Sequence, residues 1–246
     1  MNRYHILIEY VGTNFIGWQI QLKGKSIQKL IQIKISKLLK EKITIVGSGR
    51  TDAGVHAIEQ SAHFDSKKKI LDLNKFIRSI NYFLNCKGIS IISIKEKKLN
   101  FHARFSAKQR VYKYVIFNRI SKPSIEKERG WHIIKKLDIV LMKKGSKKLL
   151  GIKDFSTFRA SSCNAKNPIR EMKIIKIKSV KGRIEIQFKS QSFLQQQVRS
   201  MVGCLKYLAE GKWDLKKFEK VFRSKKRTLC APPAPSHGLF LEKVIY

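Results

Sequence analysis

At 246 residues, 43% of them hydrophobic and 28% charged, the chain has the balance of a folded protein and the length for one large domain or two moderate ones. Its 53 Lys+Arg stand against 17 Asp+Glu, and a net charge of +36 implies a polyanionic partner, nucleic acid first, against the plainer readings of biased codon composition and lysines that only solvate the surface. No apolar run approaches the ~20 residues of a membrane span, no signal peptide is expected from the N-terminal pattern, and no basic amphipathic helix carries Trp or Phe on one face for a membrane surface. Cys86, Cys163, Cys204 and Cys230 are scattered without a C-x-x-C pair. Neither a disulfide framework nor a zinc site is expected, and a cytoplasmic, reducing location is.

Arg3 to Tyr10, rich in Tyr, Ile and Leu, reads as a strand. Gly12, Asn14 and Gly17 mark a turn region carrying Phe15, Trp18 and Gln19. Ser26 has the chemistry of an N-cap, and Ile27, Leu30, Ile31, Ile35, Leu38 and Leu39 follow at helical spacing. A β-branched strand at Ile43 leads into a glycine loop and then a strand through His63-Phe64. A helix is expected over Leu73 to Leu84 and a buried strand over Ile89 to Ile94. The order β-α-β-β-α-β is the split βαβ pattern of a ferredoxin-like domain.

Phe101 to Ala107 begins a link to a second half. Arg110 to Phe117 alternates as a strand, with Tyr112, Tyr114 and Ile116 on one face. Residues 119–135 read as loop, and a helix is expected near Leu137 to Leu150. Strands over Arg170-Lys178 and Arg183-Ser190 flank Gly182. A long helix over Phe193 to Leu208, a shorter one over Leu215 to Phe222 and a last strand over Leu239 to Ile245 complete the chain. Two halves are expected, 1–105 and 106–246, with no sequence repeat between them.

The unusual stretch is Gly47-Ser48-Gly49-Arg50-Thr51-Asp52-Ala53-Gly54-Val55-His56-Ala57, read as strand, tight loop, strand. Its glycines permit positive φ and close approach. Asp52, a loop carboxylate in so basic a chain, stands two residues from Arg50, a cation of the kind that keeps such a carboxylate ionised and ready as nucleophile or base. An Asp-Gly turn with a surface ion pair explains the stretch equally well on loop chemistry alone. No phosphate loop, dinucleotide fingerprint, zinc-deaminase pair or G-x-S-x-G elbow occurs. What remains is a carboxylate on a basic scaffold, with no cofactor or metal motif.

Gly49 to Ala57 resembles the signature of the bacterial tRNA pseudouridine synthase A family. Tyr10-Val11-Gly12 with Phe15 to Gln19, Phe101 to Ala107 with Tyr112-Lys113-Tyr114, Asp154 to Arg159, Val198 to Gly203 and Ala234 to Phe240 are similar to further family blocks, in the right order over nearly the whole chain. The resemblance implies an α/β (α+β) protein of two ferredoxin-like, RRM-like halves. Their antiparallel sheets would join into one extended sheet, with an active cleft between the halves. It implies isomerisation of uridine to pseudouridine in the anticodon arm of tRNA, just 3′ of the anticodon, without a cofactor, by a homodimer. Asp52 matches the family's reacting aspartate. Arg50 would enter the base stack and help hold the base out. Tyr112 would stack on the target base, worth ~1–3 kcal/mol. Arg199 would pair with Asp52.

Read without the family, Tyr112 is sheet-face packing, Arg199 a solvated charge and Arg50 a phosphate contact. His56, His63 and His102 read as loop and strand structure, and Trp18 and Phe193 as core or pocket wall. The chain departs from the family pattern at Val11, at Asn85-Cys86-Lys87-Gly88 and at Gln195-Gln196-Gln197. Two other classes fit the charge: a basic tRNA-binding or tRNA-folding module without catalysis, and a different RNA-base enzyme such as a deaminase or methyltransferase. The missing zinc and cofactor motifs disfavour the second.

Overall fold

The computed structural model describes residues 1–246. The chain is mixed α/β, with ten strands, mostly antiparallel, and five helices. It divides into two compact units: residues 1–108 with 240–246, and residues 109–239.

The first unit runs β1 (Asn2–Tyr10), α1 (Ile27–Leu39), β2 (Ile45–Gly47), β3 (His56–Ser66), α2 (Leu73–Leu84) and β4 (Ile89–Lys97), the order expected from the sequence. Strand β1 lies between β4 and β3, antiparallel to both, so Ile6 stands opposite Ile94 on one side and Ala62 on the other. Alternation then buries Tyr4, Ile6, Ile8 and Tyr10 together. Strand β2 adds antiparallel to β3, with Ile45 opposite Phe64. The chain's last strand, Leu239–Ile245, pairs parallel to β3, with Phe240 opposite His56 and Leu241 opposite Ala57.

Both helices of this unit start where their caps dictate. The Ser26 hydroxyl accepts the Lys29 N–H at 3.4 Å and the Asp72 carboxylate that of Lys75 at 2.8 Å. Helix α1 buries Ile27, Ile31 and Ile35, and α2 buries Phe76, Ile80 and Leu84. Each such side chain contributes about 1.5–3 kcal/mol by leaving water.

The second unit holds β5 (Gln109–Asn118), β6 (Trp131–Ile133), α3 (Ile139–Lys147), β7 (Gly151–Asp154), β8 (Ile169–Val180), β9 (Arg183–Ser190), α4 (Gln197–Ala209) and α5 (Leu215–Arg223). Numbered in order, the chain's last strand is β10. Strands β5, β9, β8 and β7 are neighbours in that order and antiparallel, while β6 pairs parallel to β5. Helices α3 and α4 meet at Gly145, where a Cβ would lie 2.3 Å from a Leu208 methyl. Phe155, Phe158 and Phe222 form a buried aromatic cluster, beside which the buried Thr157 hydroxyl donates to the Val221 and Phe222 carbonyls. The family-like Asp154 to Arg159 stretch is thus a packing hub in this unit.

Four expectations change. Residues 119–135 are not all loop, because Trp131 pairs with Ile116 and makes β6. Strand β7 was not foreseen and exists by pairing with β8. Helix α4 starts at Gln197 and not at Phe193, because Gln196 has φ 60°, outside right-handed helical space. Helix α3 is also shorter than 137–150: Asp138 caps it through the Leu141 N–H at 2.8 Å.

Candidate active site

In the first unit the Asp52 loop connects β2 to β3 and packs on the turn region 11–19. Tyr10, at the end of β1, brings its hydroxyl to 2.8 Å from that of Thr51. Trp18 N–H donates to the Thr51 carbonyl at 3.1 Å, and Gly54 N–H to the Phe15 carbonyl at 3.3 Å. Two glycines make this contact geometrically feasible. A Cβ on Gly12 would lie 1.9 Å from the Val55 carbonyl oxygen, and one on Gly17, at φ +111°, 2.5 Å from that of Thr51. Gly54, at φ +76°, turns the loop just after Asp52. Asp52 is half-buried and Arg50 exposed.

The loop is anchored from the other side as well. Gln60 on β3 accepts the Ser48 hydroxyl at 2.9 Å and donates to the Gly49 carbonyl at 2.9 Å. The indole of Trp18, 2% exposed, fills the space that Gly47 leaves. Backbone and buried polar groups therefore fix the main chain on both sides of Asp52 before any ligand arrives.

Three histidines tempting as acid–base groups serve structure. His56 Nδ1 accepts the Gly12 N–H at 3.0 Å, His63 Nδ1 that of Ala103 at 3.2 Å, and His102 Nδ1 that of Arg104 at 3.1 Å. Each ring thereby holds a loop. Burial, aided by the Arg3 cation, lowers the His63 pKa to about 4, and burial with Lys97 and Lys95 does the same for His5. Both are neutral near pH 7.

Tyr112 and Arg199 belong to the second unit. Tyr112, on β5, is 8% exposed and meets Phe193 edge to face at 5.1 Å. Arg199, in the first turns of α4, exchanges two hydrogen bonds with Ala234: its Nε donates to the Ala234 carbonyl at 2.8 Å, and its own carbonyl accepts the Ala234 N–H at 2.9 Å. Neighbouring Tyr114 donates its hydroxyl to the Pro235 carbonyl at 2.8 Å, and burial raises its pKa well above the usual value. Thus the 234–235 segment is tied to both β5 and α4.

The departures from the family pattern are absorbed locally. Val11 and Gly88 meet: Val11 N–H donates to the Gly88 carbonyl at 2.9 Å, and Gly88, at φ +70°, leaves room for the Val11 side chain. Gln197 is buried and its side chain accepts the Leu194 N–H at 2.8 Å, shaping the entry to α4. Nothing in the sequence announced the His56–Gly12 or Arg199–Ala234 contacts. No group of three or more His, Cys, Asp or Glu side chains gathers where it could hold a metal ion, and no helix is long and apolar enough to cross a membrane.

A family model described as tRNA pseudouridine synthase matches residues 6–106 and 146–246. Relatives named tRNA pseudouridine synthase A cover the whole chain. That of Pelagibacter ubique (strain HTCC1062) is 78% identical over 246 residues, all of both chains. That of Paramagnetospirillum magneticum (strain ATCC 700264 / AMB-1) is 41% identical, over 96% of its own length. That of Parvibaculum lavamentivorans is 38% identical, over all of its length. Among solved structures, a chain of a Cbf5-Nop10-Gar1 complex superposes with TM-score 0.31 at 12% identity, over 82% of this chain and 53% of that one. So low a score carries no argument.

Proposed function

Because the chain belongs to the tRNA pseudouridine synthase family, and is an isomerase of that kind, we propose that it converts uridine to pseudouridine in the tRNA anticodon arm, just 3′ of the anticodon, with Asp52 as the reacting carboxylate. The reaction breaks the N1–C1′ glycosidic bond, turns the base and joins C5 to C1′. The proton leaving C5 is balanced by one gained at N1. Asp52 acts as nucleophile, or as the base that starts removal of a ribose proton.

The observation that carries this reading is the clamped loop: a half-buried carboxylate whose flanking backbone is locked by Gly12, Gly17, Thr51 and Gln60. Such fixing costs conformational entropy and backbone crowding, which a plain surface turn has no use for. The remaining roles follow the resemblance. Arg50, exposed beside the carboxylate, enters the base stack. Tyr112 stacks on the extruded base. Arg199, its guanidinium steadied by Ala234, favours the ionised form of Asp52. Extrusion costs a few kcal/mol, which phosphate contacts from a chain of charge +36 offset. We place the enzyme in the cytoplasm as a homodimer, a state that sedimentation equilibrium reads directly.

Nucleoside analysis of an unmodified tRNA, after incubation with wild type and with Asp52→Asn, tests the proposal. Pseudouridine from wild type alone, at a uridine just 3′ of the anticodon, supports it. Wild-type rates from Asp52→Asn would sink the role of Asp52. Tight tRNA binding without product from either protein would make the chain a binding module.

A further inference from the structure

The reaction above uses no thiol, yet the fold brings two cysteines far apart in sequence into contact. Cys204 on α4 is fully buried, and its Sγ lies 3.4 Å from that of Cys230. Cys230 is partly exposed and ends the short 3-10 turn Arg227–Leu229. Both are free thiols. The Arg227 guanidinium sits beside Cys230, and its Nη1 is buried with no hydrogen-bond acceptor. The nearby Arg227 cation favours the thiolate form of Cys230. The hydrogen bond from Cys204 and the Arg227 charge lower the Cys230 pKa, while that partnership and burial raise that of Cys204. One thiol is therefore partly exposed and activated, and the other is buried within reach of it: the attacking and resolving positions of a dithiol.

We propose that Cys204 and Cys230 form a thiol–disulfide exchange site that takes low-molecular-weight disulfides and closes to an intramolecular disulfide. The Cys230 thiolate attacks one sulfur of the small disulfide. Its S–S bond breaks, one thiolate leaves and takes up a proton, and a mixed disulfide remains on Cys230. Cys204 then loses its proton and attacks Cys230 Sγ, expelling the second small thiol. The balance is two protein thiols and one small disulfide converted to one protein disulfide and two small thiols. Closure brings the sulfurs from 3.4 Å to the ~2.05 Å of a covalent bond.

The bond would tie the 230–235 segment to α4. That segment already packs so closely that a Cβ on Gly203 would lie 2.1 Å from the Pro232 carbonyl oxygen, and it carries the Ala234 partner of Arg199. The thiol chemistry is independent of the tRNA reaction and can be tested without it.

The test treats the full-length protein with oxidised glutathione, digests it and maps cysteines by mass spectrometry. Wild type is expected to give a Cys204–Cys230 cross-linked peptide, two hydrogens lighter than the pair of reduced peptides and reversed by dithiothreitol. Cys204→Ser is expected to retain one glutathione on Cys230, because the resolving thiol is gone. Cys230→Ser is expected to leave Cys204 unmodified. Hydrogen exchange at the Ala234 amide should slow in the oxidised protein. Wild type with glutathione only on Cys86 and Cys163, or with a lasting adduct on Cys230 beside a free Cys204, overturns the proposal. Unchanged exchange at Ala234 overturns the clamping of the segment.

Discussion

Tyr10 and Thr51 join hydroxyl to hydroxyl at 2.8 Å, where the end of β1 meets the residue just before Asp52. Both side chains are buried, so neither oxygen gains a full replacement from water if the other is removed. Tyr10→Phe keeps the ring and takes away this contact. The expected loss is about 0.5–1.5 kcal/mol of stability, with a fall in kcat exceeding any change in tRNA affinity. Chemical denaturation alongside single-turnover kinetics checks both parts.

Gly17→Ala should be far more costly than an alanine at another positive-φ glycine. At Gly17, φ is +111° and a Cβ would crowd the Thr51 carbonyl at 2.5 Å; at Gly211, φ is +78° and nothing lies within 4 Å. Gly211→Ala is expected to cost only the left-handed penalty of about 1–2 kcal/mol. Gly17→Ala adds the clash and shifts the backbone beside Asp52. Urea midpoints compare the two variants, and only Gly17→Ala should abolish pseudouridine formation.

Arg199→Lys keeps the charge and loses the Nε that donates to Ala234 at 2.8 Å. An ammonium on a flexible stem is not held in the same place. Activity is expected to fall roughly tenfold or more, equivalent to about 1.4 kcal/mol in the barrier, with tRNA binding nearly unchanged. Wild-type kcat in this variant would count against a positioned guanidinium.

Stability should decline in mild acid. Burial holds folded His5 and His63 at a pKa of about 4, from an ordinary 6.5. Around His5 stand Lys95 and Lys97. Around His63 stand Arg3 and His102, with Asp65 opposing them. Between pH 6.5 and 4 the unfolded chain binds the extra protons, so this contribution to stability is complete above 6.5 and drains away as pH falls towards 4. Urea midpoints at pH 7, 6 and 5 should fall in order, and His63→Gln should flatten the decline.

With a net charge of +36, tRNA binding should depend steeply on salt. The logarithm of the affinity is expected to fall linearly with the logarithm of salt concentration. A slope near zero would mean that phosphate contacts contribute little.

Elements with their own chemistry were legible in the sequence. Ser26 and Asp72 accept the N–H groups that start α1 and α2, and Leu73–Leu84 is the helix that spacing gives. Elements made by a distant partner were not. The three residues of β6 and the four of β7 are strands only because β5 and β8 lie beside them. Apolar spacing also hid the start of α4, since Phe193 fits a helical stripe and the left-handed Gln196 does not. The Asp52 loop could be read as strand, loop and strand from its glycines. Its clamp could not, because the contacts of Gly12 with His56 and of Gln60 with Gly49 depend on register between strands. The pairings of Arg199 with Ala234 and of Cys204 with Cys230 span stretches of chain that carry no local signal of meeting.

Strand β10 pairs with β3 and belongs to the unit whose other residues are 1–108. On the ribosome, residues 1–108 are made well before the strand that completes their sheet. Its β3 edge, next to the Asp52 loop at His56 and Ala57, stays open until residues 240–246 emerge, which is only after the whole of residues 109–239 has been made. A nascent chain stalled before Phe240 would therefore expose a bare β-edge beside the Asp52 loop. Residues 240–246 thus decide whether the sheet of residues 1–108 is closed or left as a sticky intermediate.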